Sequence, residues 1–449
     1  MTPLRDSPWG GAGRHGRGGA ALFSPTLGWL TVGIVVWCAA MLHQRTCETT
    51  VAGQPVNAML RLCYSDLPIT YQNQLASGHS PWFTGDGGAA IDQPPLTGAL
   101  MALLRSLVAV THPVREGLTA QQALDAGNDF LVLASVVFGV CFLVLLRTQL
   151  ATSRLLGRPT RVGMEGRGQG WTLAALCLTG FTAGMVSWEL LGAAAMMIAL
   201  WAWHARRWWL CGIAAGAAVG ASGFLLPLVL VLATLAVASP GRGTRPADSG
   251  RAHPRHGPAL AAGVAAAIVV LVNLPVALLW PAGWRRWIMA QLVPDLGLGA
   301  IWQQLLGENN PASTLVARVL VLVTALLVVA VLLAVVLGVV EARPEQLMLV
   351  VLGITVVLAP TYAPQQALLL VPLAALCRPQ GWVAVLAAAE ALYWGAVWAY
   401  LNGSLRFGPR GGETPYALTI IVRVTVVLIT VLSVALECWR SRRPRGVTT

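Results

Sequence analysis

The sequence predicts an all-α, polytopic integral membrane protein. Of 449 residues, 56% are hydrophobic and only 11% are charged, where a soluble domain carries about 25% charged residues. Mean hydropathy is +0.68, and apolar runs of bilayer length, about 20 residues each, recur over most of the chain. Lipid offers no partner to a free backbone N–H or C=O, so such runs must be helices.

Residues 1–26 form a Gly- and Arg-rich arm, and 27–43 are a retained first helix, because no small-residue cleavage site follows. A polar loop, 44–93, comes next and shows almost no helical apolar period. Further apolar runs lie at 95–110, 130–146, 171–186, 187–204, 208–238, 258–280, 314–340, 347–360, 363–377, 383–400 and 416–436. The expectation is about 11–13 crossings, a single membrane domain over 27–439, and a basic tail at 440–449.

The net charge is +12, and every basic residue is Arg. These arginines cluster in short loops and tails at 147–167, 206–207, 242–255 and 440–445, where orientation signals belong. They argue for a cytoplasmic face rather than for nucleic-acid binding. The loops 44–93, 284–310 and 402–415 then face outward. A full crossing by 95–110 would put the 147–167 arginines outside, so this segment is expected to lie at the outer surface. The long run 208–238 is expected to split at Gly216 to Gly223.

Eight cysteines are present. Six lie in or at apolar runs, while Cys47 and Cys63 flank one stretch of the polar loop and could pair in an oxidising compartment. No Cys-x-x-Cys or His-x-x-x-His pattern occurs, so no metal site is assigned, and no cofactor is called for.

With only 18 acidic residues, those near outer membrane boundaries are informative, since an ionisable group at membrane depth is costly and is paired or functional. Asp66 in CYSDLPITYQ, Asp92 in IDQPPLTGAL and Glu189 in SWELLG are the candidates. The bland alternatives are a solvated turn or cap for the aspartates and a belt position beside Trp188 for Glu189.

CYSDLP, then DQPPLTG, SWELL, NLPVALLWPAGW from Asn273, YAPQQALLLVPLAALCRP from Tyr362 and AAEALYWGAVWAYL from Ala388 run in order through nearly the whole chain. This ordered set resembles the glycosyltransferase-C superfamily, and within it the actinobacterial polyprenol-phosphate-mannose-dependent α-1,2-mannosyltransferases. The resemblance implies an enzyme of the cell membrane with its site on the extracytoplasmic face. It would transfer mannose, or a related sugar, from a polyprenyl-phosphate donor to a glycolipid or lipoglycan of the envelope, with inversion. Asp66, matched to the family's catalytic Asp, would be the general base. Asp92, Glu189, Arg285, Arg286, Gln365 and Tyr362 would contact substrate: the arginines the leaving phosphate, and Gln365 with its neighbour Gln366 the phosphate or sugar, with satisfaction of exposed backbone the alternative for the two amides and a belt position the alternative for Tyr362. Interfacial anchoring is the alternative role for the two arginines, which sit beside Trp284 and Trp287.

The chain departs from the family pattern in places. Asp92 and Gln93 replace Glu-Tyr, Glu189 replaces Asp, Phe224 stands where a basic residue is common, and IMAQLVPDLGLGAIW after the arginine pair carries no further basic residue. A lipid or solute transporter, or flippase, is the alternative from another class, though no internal repeat relates the two halves. A non-catalytic scaffold of envelope synthesis is the third reading.

Overall fold

A computed structural model of the chain describes residues 25–47, 50–51, 54–75, 82, 93–113, 120–158, 169–238, 256–293, 295–307, 310–405 and 414–441. The basic arm and nearly all of the tail lie outside the described residues. Helix α1 spans Pro25–Gln44 and α2 Asp66–Thr70, with a two-residue antiparallel hairpin between them, β1 (Thr50–Val51) and β2 (Gln54–Pro55). Next come α3 (Pro95–Thr111), α4 (Ala120–Leu155), α5 (Gly170–Ala183), α6 (Glu189–His204), α7 (Trp208–Ala221) and α8 (Leu226–Ala238). The chain continues through α9 (Gly257–Leu279), α10 (Pro281–Leu292), α11 (Ile301–Leu306), α12 (Ser313–Val336), α13 (Pro344–Leu358), α14 (Ala367–Cys377), α15 (Gln380–Leu401) and α16 (Thr414–Arg440).

Among the described residues, six helices are long and apolar enough to cross a membrane: α1, most of α4, α9, α12, α15 and α16. Seven apolar helical segments are shorter, at 10–17 residues. The chain is thus a multi-pass membrane protein whose described residues are predominantly helical. Leucines and valines exposed along α9, α12 and α16 cover its outside, as expected where the solvent is lipid.

Local chemistry sets several boundaries. Pro281 cannot continue α9, and the break is clasped by the Trp284 indole, which donates to Asn273 Oδ1 at 3.1 Å. At the start of α13, Gln346 Oε1 accepts from the Arg343 amide (3.1 Å) ahead of Pro344 at the first helical position. The run 208–238 does split, at Ser222–Leu225, the C-terminal edge of the expected Gly216 to Gly223 stretch. Gly212, Gly216 and Gly220 stay inside α7, one turn apart, where a Cβ would collide with Val264 and Ile268 of α9 and press against Val272. They form a small-residue seam that lets the two helix backbones close on each other.

The bundle has two chemically different ends. At one, Arg154 Nη2 donates to Thr26 Oγ1 (3.0 Å), Arg158 to the Ala375 carbonyl (3.0 Å), His204 pairs with Glu345 (2.9 Å) and Arg378 with Glu437 (3.2 Å). The start of α1 and the ends of α4 and α14 therefore lie level. From that level α1, with 20 residues, rises about 30 Å, whereas α14, with 11, rises only about 17 Å. The turn that precedes α14 is consequently sunk below the far end of α1. Helices α5 and α7, with 14 residues each, are also short of the roughly 30 Å hydrocarbon core. Helix α3 lies across this far end: Thr97 Oγ1 donates to Ala221 at the end of α7 (2.9 Å), and His112 meets Asp129 near the start of α4 (3.1 Å).

Candidate functional site

Asp66 is carried by a short, heavily tethered segment. A disulfide joins Cys47 to Cys63, with 6.1 Å between their Cα atoms, and His43 near the end of α1 bonds the Leu62 carbonyl at 3.1 Å. Ser65 has the extended backbone of a helix cap, and its Oγ accepts from the Leu67 amide. The same hydroxyl donates to the Met185 carbonyl (2.7 Å), and the Asp66 amide donates to the Val186 carbonyl (2.9 Å). Asp66 is thereby locked onto the turn between α5 and α6.

The Asp66 carboxyl is half-buried, and burial lifts its pKa above the ordinary carboxylate value, partly offset by a hydrogen bond from the Tyr64 hydroxyl. Tyr64 is itself pushed up, by burial first and then by the Asp66 charge and their shared bond. Its ring packs on Trp398 of α15, 4.7 Å between centroids.

Glu189 opens α6 three residues after the carbonyl that holds Asp66. Its Oε2 accepts from Ser222 Oγ at 2.8 Å, the residue at which α7 breaks. The start of α3 meets the same break through Thr97, and a Cβ at Gly223 would collide with Gln291 of α10. The PPLTG and SWELL stretches and the end of α10 therefore converge around one interruption in α7–α8. Trp82 adds a second tie: it occupies the space a Cβ would need at both Gly98 of α3 and Gly283 of α10, and packs tilted against Trp280, 5.5 Å between ring centroids. Asp92 lies outside the described residues. Arg285 and Arg286 are exposed on α10, off the buried Gly283–Trp287 stripe. No hydrogen bond or ion pair joins Arg285 to Asp66 or Glu189 among the described residues.

The sunken turn contains Tyr362, Gln365 and Gln366. It packs against α5, α6 and α15: α5 leads into the turn that holds Asp66, α6 opens with Glu189 and α15 carries Trp398. Its irregular backbone needs donors and finds them in Arg423 of α16, which is fully buried. Arg423 Nη1 donates to the Tyr362 carbonyl (2.7 Å), Nη2 to the Ala363 carbonyl (2.9 Å) and Nε to Glu390 Oε2 (2.7 Å). The Tyr362 hydroxyl donates to the other Glu390 oxygen at 2.5 Å. The guanidinium lies 3.2 Å from the centroid of the Tyr362 ring and 4.1 Å from that of Tyr393. Behind it, the Tyr362 amide donates to Leu298 (3.3 Å) and the Tyr416 hydroxyl accepts from the Gly299 amide (3.1 Å).

Tyr362 thus faces an internal ion pair rather than an open cleft. Arg423 and Glu390 were not among the residues singled out from the sequence. The signal was there, since each is an isolated charge in an apolar run and the two have opposite sign.

No protein-family model matches the chain, and no curated protein matches it in sequence.

Proposed function

We propose that the chain is a membrane glycosyltransferase of glycosyltransferase-C type, moving a mannosyl or related residue from a polyprenyl-phosphate donor to a glycolipid or lipoglycan acceptor. The observation that carries the reading is the Asp66 tether: a carboxyl of raised pKa, bonded by Tyr64, is held through Val186 to the turn that leads into Glu189. A base with its pKa moved toward neutrality both ionises at working pH and takes a proton well.

In the reaction, the Asp66 carboxylate removes the proton of an acceptor hydroxyl as that oxygen bonds to the anomeric carbon. The bond from that carbon to the phosphate oxygen breaks on the opposite face, and the polyprenyl phosphate leaves with the electron pair. Configuration at the carbon inverts. The departing charge requires donors, and Arg285 and Arg286, exposed on the helix beside the α7–α8 break, are the cations we assign to it. The extracytoplasmic orientation is supported by the Cys47–Cys63 disulfide at the Asp66 end and by the arginine-rich segments at the other.

The test is transfer of radiolabelled mannose from polyprenyl phosphomannose to envelope lipids, in membranes holding wild type or Asp66→Asn. Label that moves only with wild type supports both the reaction and the base. Equal transfer by both proteins removes Asp66 from its role, and lipid movement without transfer in reconstituted vesicles favours a flippase.

A further inference from the structure

The sunken turn is over-determined at one end and unsatisfied at the other. Two forked bonds from Arg423 fix the carbonyls of Tyr362 and Ala363, and Glu390 fixes both the guanidinium and the Tyr362 hydroxyl. A buried ion pair is weak evidence of stability, because desolvating two charges offsets their attraction, and its best-attested use is to specify one conformation. Here the conformation specified is that of residues 362–366. Backbone satisfaction accounts for the two carbonyl bonds, but not for the side chains that come next along the turn.

Immediately after the clamped carbonyls stand Pro364, Gln365 and Gln366. Gln366 is only 2% exposed, yet its side-chain oxygen has no hydrogen-bond partner among the described residues, and neither has that of Gln365. Buried polar atoms are normally hydrogen-bonded, so two unpartnered oxygens in succession on a rigid turn are open to a ligand that completes the bonding. These amides belong to the turn that packs against α5, α6 and α15; α5 leads into the turn that holds Asp66, α6 opens with Glu189 and α15 carries Trp398.

The chemistry of the amide edge selects the ligand class. An amide oxygen accepts, so an ionised phosphate, which offers only acceptors, cannot satisfy it. A hydroxyl both donates and accepts, and so serves an amide turned either way.

Resting on the glycosyltransferase reading above, we infer that the Arg423–Glu390 pair is a positioning unit that presents Gln365 and Gln366 to the hydroxyls of the donor's sugar, while the lipid phosphate is bound elsewhere. Arg423 and Glu390 themselves do not touch the sugar.

The experiment is equilibrium binding to the purified full chain in lipid nanodiscs, with two probes: a polyprenyl phosphomannose and the same polyprenyl phosphate without sugar. Wild type prefers the sugar-bearing lipid. Gln366→Met keeps the side chain's length without its amide, and it is expected to reduce that preference about tenfold or more, the loss of one buried hydrogen bond, while binding bare polyprenyl phosphate as before. Arg423→Lys is expected to do the same, because a point charge can keep Glu390 but cannot fork onto two carbonyls. A merely structural role for either residue would weaken both probes together, and that result, or an undiminished preference in Gln366→Met, overturns the proposal. Gln366→Met leaves the buried pair intact, so it decides the matter even if Arg423→Lys folds poorly. Wild type that binds neither lipid refutes the glycosyltransferase reading itself, an outcome distinct from retained preference in the variants.

Discussion

The backbone amide of Asp66 donates to the carbonyl of Val186 across 120 residues of sequence, at 2.9 Å, and the neighbouring Ser65 hydroxyl reaches Met185 in the same way. The loop that carries the proposed base is therefore registered on the turn that carries Glu189 by main-chain geometry, independent of either side chain. A substitution of the Asp66 carboxyl leaves the amide tether in place. Asp66→Asn should accordingly fold normally and lose about 10²–10⁴ of the transfer rate, the usual worth of a general base. The check is initial rates of mannose transfer, with comparable protein recovered in membranes.

The raised pKa of Asp66 has a kinetic consequence. The base works only when ionised, so kcat/KM should rise with pH through an inflection above the ordinary carboxylate range. Burial is the main cause of the upward shift, and the Tyr64 bond pulls the other way. Tyr64→Phe should therefore move the inflection higher still. An unmoved pH profile would show that the Tyr64 hydroxyl does not govern this carboxyl.

The same shift has a stability consequence of definite sign. A carboxyl whose folded pKa exceeds its unfolded value binds its proton more tightly in the fold. Its contribution is fully present below the ordinary carboxylate pKa and is lost as pH rises through the raised folded value. Asp66→Asn removes this term, so the variant should gain thermal stability relative to wild type as the pH is raised. Melting temperatures of the two proteins across acidic to neutral pH provide the comparison, and the expected pattern is the familiar exchange of stability against activity at a working site.

Much of this architecture was legible in the sequence, because bilayer solvation writes itself into long apolar runs. Helices α9, α12, α15 and α16 fall close to the expected runs, and the surface placement of α3 follows from the arginine balance. The glycine stretch in 208–238 was legible only in part. Whether a glycine breaks a helix or packs it depends on what lies opposite, and Val264 and Ile268 are more than 40 residues away in sequence. The convergence of Thr97, Glu189 and Ser222 is a matter of long-range packing that no spacing reveals. Asp66 and Glu189 could be nominated by residue type, but their shared tether could not. The Arg423–Glu390 pair was readable as two isolated charges in apolar runs, although which carbonyls Arg423 would hold was not.

The disulfide braces the loop. Cys47 and Cys63 are 16 residues apart, and closing a loop of that size constrains the unfolded chain by about 3 kcal/mol on the entropy model. A Cys47→Ser, Cys63→Ser double variant should lower the temperature at which transfer activity is lost, while leaving membrane insertion unchanged. The readout is residual mannose transfer after graded heating, compared with reduced wild type, which should behave like the double variant.

The α7–α9 seam offers a comparison within one pair of packed helices. At Gly212, an added Cβ would lie 2.6 Å from the Ala261 carbonyl oxygen and 2.6 Å from Val264 Cβ, whereas Gly263 of α9 has nothing within 4 Å. The first contact is with backbone on one side, which cannot swing aside as a side-chain tip does. Gly212→Ala is therefore expected to cost about 1–3 kcal/mol, the range for overpacking a closed interface. Gly263→Ala meets no obstruction and should be neutral or favourable, by up to about 1 kcal/mol of helix propensity. Unfolding midpoints of the two purified variants in one detergent separate the cases. Equal effects would mean that α7 and α9 are not held at the close approach the glycines permit, and the convergence of Thr97 and Ser222 at the end of α7 would lose its support.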